Sequence, residues 1–218
     1  MSDSKRSMPL SRRAMVGALS AMLVACGSAP VSRALVIIPS APAPVDAGTS
    51  ASSPSARPLP AAEIGVLTIK LPEHWQRRGV LHLRGDSELQ TWPNAIWAER
   101  VEIGMTRRLS QALRERAPEL GWWPSDDSQA PRRLQVDVQQ LDVMAQRGQI
   151  ASVLQWRLID RQGRVTASGS LRRQVDEPIQ GPQDEAQALG RWLDTVALAL
   201  GEAVRGVSDS ADKTTGLR

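Results

Sequence analysis

Residues 133–175 read RLQVDVQQLDVMAQRGQIASVLQWRLIDRQGRVTASGSLRRQV, and their apolar residues recur at every second position. Leu134, Val136 and Val138 alternate with Gln135, Asp137 and Gln139, and after a register shift at Gln140 the row resumes at Leu141 and Val143. Leu154, Trp156 and Leu158 form a second apolar row; Val165, Ala167 and Leu171 form a third. A period of two marks strands with one buried face. Arg147-Gly148 and Asp160-Arg161-Gln162-Gly163 fall between the rows and suit hairpin turns in which Gly takes positive φ. The stretch predicts a three-stranded antiparallel meander with one wet face.

On the C-terminal side the period changes to that of a helix. Pro182 introduces a segment from about Gln183 to Arg205, with Asp184 and Glu185 in the first turn, where negative charge suits the helix N-terminus. Ala186, Leu189, Leu193, Val196, Ala197, Leu200 and Val204 form its apolar stripe. On the N-terminal side, Ile64–Ile69 and Val80–Leu83 read as short strands, the first ended by Pro72 and the second by a turn at Gly85. A further helix opens near Trp97, buries Val101, Met105, Leu109, Ala112 and Leu113, and ends at Pro118 and Gly121. These elements predict an α+β fold: an antiparallel sheet with a three-strand C-terminal meander and two amphipathic helices packed on one face.

The start of the chain is of another kind. Lys5, Arg6, Arg12 and Arg13 precede an apolar run from Ala14 to Val24, too short to span a bilayer, and Leu23-Val24-Ala25-Cys26 follows the pattern of a lipoprotein signal cleaved before Cys26. Cys26 is the single cysteine, so it is the predicted lipidation site and no disulfide is available. Gly27 rather than Asp after the cysteine points to the outer membrane of a double-membraned bacterium. Cleavage removes four basic residues and Asp3, taking the formal charge from +4 to +1, so nothing electrostatic argues for nucleic acid. The predicted organisation is a signal peptide over 1–25, a lipidated anchor and tether over 26–33, and a short strand over 34–38. A Pro/Ala/Ser-rich linker follows over 39–62, then a periplasmic domain over 63–207 and a disordered tail over 208–218. The strand Ala34–Ile38 is expected to dock, because an exposed apolar strand invites edge pairing with other chains.

A lipobox, an apolar strand and a Pro/Ala linker are followed by Leu71-Pro72, Arg77-Arg78, a short strand ending at Arg84, and Trp97-Ala98-Glu99. In this order and spacing they resemble the PqiC-like lipoproteins, auxiliary components of ABC-type transport systems. The resemblance runs from Cys26 to about Arg205. It implies a non-enzymatic lipoprotein, acylated at Cys26 with palmitate among its acyl chains, on the periplasmic side of the outer membrane. It also implies a partner with MCE domains that carries lipid across the periplasm, a contribution to membrane integrity, and suits a ring-like homo-oligomer. No cofactor is implied.

Candidate sites follow from the same residues. Arg77, Arg78 and Arg84 are candidate partner contacts, because guanidinium groups bind carboxylates or lipid phosphates directionally. Trp122-Trp123, if on a strand, would point to opposite faces and leave one ring for an interface. Pro72, Trp97 and Glu99 are candidate structural positions, Trp97 as a packing anchor at the helix start and Glu99 as a first-turn acid. His74 and His82 lack a third ligand at suitable spacing, so no metal site is predicted. Gly85-Asp86-Ser87 resembles a hydrolase nucleophile block, but both histidines precede the serine, which disfavours the hydrolase alternative. A lipid carrier is the other alternative; it needs a wide apolar interior, whereas the stripes suffice only to pack two helices on a sheet.

Overall fold

The computed structural model describes residues 32–40, 63–123 and 130–215, with side chains to residue 207. Cys26, the signal peptide and residues 41–62 lie outside the described residues. The predicted meander is present as β5 (Arg132–Met144), β6 (Gln149–Asp160) and β7 (Val165–Asp176), paired antiparallel in sequence order. The predicted shift is a bulge between Val138 and Gln140, which returns Leu141 and Val143 to the buried face after two exposed residues. Gly148 closes the first turn at φ 59°, and a Cβ there would stand 2.9 Å from the carbonyl oxygen of Glu177, so both conformation and space require glycine.

The N-terminal strands join in parallel. β2 (Ile64–Val66) pairs with the start of β5, completing a sheet of order β2-β5-β6-β7. β1 (Ala34–Val36) lies parallel to β4 (Glu88–Trp97), which is antiparallel to β3 (Gly79–Arg84), giving a second sheet of order β1-β4-β3. The α+β class is as predicted, but the strands divide between two mixed sheets. Beyond β2, the outer edge of β5 is covered by the segment leading to the second sheet. Lys70 exchanges backbone hydrogen bonds with Val136 and Val138, and Trp75 donates its indole N–H to the carbonyl of Leu141 at 3.0 Å. These contacts occupy ladder groups that a foreign strand would otherwise use.

The segment from Glu88 to Trp97 corrects the expected helix start: it is a strand, and the helix α1 spans Val101–Arg116. Pro93 and Asn94 argue against a strand in the sequence, and the structure accommodates both in a bulge. Thr91 to Ile96 on β4 faces only Leu81 to Gly79 on β3, and Asn94 takes φ 57°, which Asn tolerates.

The second helix, α2, spans Pro182–Thr215. Its described bounds therefore extend past Val207, into the segment expected as a tail. Gly206 alone lowers helix propensity by only about 1 kcal/mol, and no proline follows to stop the helix. α2 packs on β6 and β7, and α1 packs on α2. All residues of both predicted stripes are buried and join Leu134, Leu154, Trp156 and Leu158 of the sheet in one core. Trp192 donates to the hydroxyl of Ser152 at 2.8 Å, which in turn donates to the carbonyl of Arg173, so these two buried polar groups between α2 and the sheet are paired. Between the helices, Arg108 donates to Asp194 at 2.5 and 2.6 Å with Arg108 almost wholly buried.

Candidate functional site

Pro72 ends the extended segment and opens a single 3-10 turn, Glu73–Gln76, whose Trp75 is driven into the core. That anchor leaves Arg77 and Arg78 exposed on the way into β3, with no ion pair to a described residue. The backbone holds the other motif beside them: Trp97 N–H donates to the carbonyl of Arg78 at 2.8 Å, and Ala98 N–H donates to Val36 of β1 at 2.8 Å. Arg77, Arg78, Trp97, Ala98, Glu99 and Arg100 together border a pocket of about 220 Å³ at the start of α1. Residues about 20 apart in sequence thus form one cationic hollow.

Trp97 is buried, and it closes a strand instead of starting a helix. Glu99 likewise precedes the helix, whose N-cap is Arg100. Its carboxylate folds over the first turn to receive both Nη atoms of Arg107 at 2.7 and 2.9 Å, and this bond holds the Arg107 guanidinium above its usual range. Gly104 permits the fold, since a Cβ would lie 3.0 Å from Glu99 Oε1. With Glu99 engaged by Arg107, it does not neutralise Arg77 or Arg78.

Arg84 is not part of this hollow. It ends β3 opposite Glu88, six residues beyond Arg78, or about 20 Å along an extended strand. Trp122 is also removed from the candidate surface: its ring is buried and its N–H donates to the carbonyl of Ala117 at 2.7 Å. A single-residue bridge to Ile64, not a full strand, sets its direction, so the expected choice between two faces falls to Trp123, which stays half-buried. Ser87 is exposed in the β3–β4 turn, where its neighbour Asp86 pairs with Arg147. His82 stacks on Trp92 with ring centroids 4.4 Å apart.

Sequence reasoning missed one buried group. Trp92 donates its N–H to Oε2 of Glu185 at 2.7 Å, while Oε1 has no partner among the described residues. Glu185 is fully buried; burial pushes its carboxyl up to about 8, against the opposing hydrogen bond from Trp92. The first-turn role belongs to Asp184 alone, which accepts from the backbone N–H of Gln180. Glu185 stands four residues before Leu189, on the apolar stripe, and that spacing was the available signal.

No curated protein matches the chain. Among solved structures it is similar to protein XCC0632 from Xanthomonas campestris, at 17% identity and TM-score 0.57, over 82% of this chain and 99% of that one. An uncharacterised protein matches at 16% identity and TM-score 0.54, over 67% of this chain and 95% of the other. Both likenesses concern the fold. The family model for the ABC-type transport auxiliary lipoprotein component matches residues 44–201, a span that holds both sheets from β2 onward and every motif bordering the hollow. With the motifs in order and the match extending over well more than half its length, the chain belongs to the ABC-type transport auxiliary lipoprotein family.

Proposed function

We propose that the protein is held in the outer membrane by acylated Cys26, faces the periplasm, and docks the MCE-domain partner of an ABC-type lipid transport system. The observation that carries the reading is the hollow beside α1, in which Arg77 and Arg78 stand exposed, without an ion pair among the described residues, next to the Trp97-Ala98-Glu99 segment. Such a surface suits acidic side chains on a protein partner, since paired guanidinium groups hold carboxylates in fixed geometry. A scaffold is favoured over a lipid carrier because the space between sheets and helices is filled by Leu134, Leu154, Leu189 and Leu193, each fully buried. A ring of copies belongs to the same proposal and is checked by native mass spectrometry of the purified lipoprotein.

The test is capture of the partner by pull-down beside a thermal melt. Arg77→Glu with Arg78→Glu should abolish capture while the melt stays within a degree or two, because exposed substitutions seldom exceed about 0.5 kcal/mol. Arg84→Glu alone should capture normally, since it lies away from the hollow. Normal capture by a folded double variant refutes the docking site.

A further inference from the structure

Leu35 and Ile37 are the most exposed large apolar side chains among the described residues, at 66% and 54%. They sit two apart on one extended segment, so they share a face, while Val36 and Ile38 on the other face are buried in the core. Arg33, two residues earlier, is exposed on the same side. Leu35 lies in register with Ile96 of β4, so the outward face of the sheet stays apolar at the next strand. An edge strand with such a face is normally blunted by charge, and its retention calls for something to cover it.

The distance to Cys26 says what that is. Eight residues lie between Cys26 and Leu35, a reach of at most about 30 Å fully extended. A domain of this size is roughly 40 Å across. The tether is therefore shorter than the body it holds, and β1 must lie at the membrane-proximal end. Resting on the reading of Cys26 as the lipidated residue, we infer that the face formed by Arg33, Leu35 and Ile37 is a second membrane contact, seated on the phospholipid leaflet in which the acyl chains lie. Leu35 and Ile37 enter the boundary between headgroups and acyl chains, and Arg33 meets lipid phosphate. Contact through both lipid and strand fixes how the body is turned on the membrane, which the acyl chains alone leave free.

Cys26 is the single native cysteine and its thiol is consumed by acylation, so one introduced cysteine takes a thiol-reactive fluorophore cleanly. Leu35→Cys and Ile37→Cys are labelled on the purified lipoprotein and reconstituted into phosphatidylethanolamine/phosphatidylglycerol vesicles. Val165→Cys and Leu198→Cys serve as controls because both are comparably exposed. The expected result is a blue-shifted emission at 35 and 37, with quenching by spin-labelled lipids several-fold stronger than at 165 and 198. Equal quenching at all four positions in protein that floats with the vesicles overturns the inference and leaves the anchor reading intact. A blue shift that grows with protein density but is not quenched by lipid assigns the face to a second copy and also overturns it. Protein that fails to float with the vesicles refutes the anchor, and this contact with it.

Discussion

Replacing Glu185 by glutamine should remove a pH dependence from the stability of the fold. In the native state the carboxyl titrates at about 8 instead of its ordinary 4.5, because burial strips its charged form of water. A folded-state value raised above the unfolded one means that the native state binds the proton more tightly. The stabilisation from that proton is complete below about pH 4.5 and is lost as the pH climbs toward 8. At about 1.4 kcal/mol per unit, the loss between pH 5 and pH 8 is about 3–4 kcal/mol, a large fraction of a total of roughly 5–15. For a domain of this size it lowers the melting temperature by about 10 °C. His82, whose ring stacks on Trp92, works in the opposite direction: burial lowers its value, so its contribution is lost as the pH falls below the ordinary histidine range. The substituted amide keeps an acceptor for the Trp92 indole and cannot ionise, so the Glu185→Gln variant should lose this fall with rising pH and outlast the wild type at pH 8. Thermal melts of both proteins at pH 5, 6, 7 and 8 decide the matter. A wild-type melting temperature that is the same at pH 5 and 8, or a variant that falls in parallel with it, refutes the reasoning.

Cys26→Ser should leave unprocessed precursor without acyl chains, because a hydroxyl does not replace the thiol in lipid transfer; palmitate labelling of the variant would refute the assignment. Leu193→Asp places an unpaired charge where the side chain is fully buried, costing several kcal/mol, and should abolish the cooperative melt. Asp194→Ala leaves the buried Arg108 guanidinium without its carboxylate and should cost about 3–5 kcal/mol in urea unfolding, whereas a loss under about 1 would show that the tie between the helices is dispensable.

The meander and the stripe of α2 are legible in the sequence because each repeats its period for many residues with turn chemistry at the ends, and even the bulge at Gln140 leaves a visible skip in the alternation. β4 is not, because Pro93 and Asn94 are tolerated only within a bulge defined by the facing strand. The parallel pairings of β1 and β2 join segments about 60 residues apart, and short runs do not encode such partners. The same limit applies to the site. Arg77, Arg78, Trp97 and Glu99 are each visible as motif residues, but their meeting depends on the bond from Trp97 to Arg78, and the exclusion of Arg84 depends on strand direction. The direction of Trp122 is hidden because one bridge residue, rather than a strand, sets it. The burial of Glu185 is hidden because a first-turn acid and a buried stripe position coincide there.

The pairing of β1 with β4 has a mechanical side. Three residue pairs, with the burial of Val36 and Ile38, clasp the first described segment of the chain to the body. While it holds, the slack between Cys26 and the body is seven residues; if it opens, the contour to Glu63 rises to 36 residues, or about 120 Å at full extension. If Cys26 carries the proposed lipid, a pull on the body away from the membrane would load those pairs first, and their parting would withdraw Val36 and Ile38 from the core while lengthening the tether several-fold.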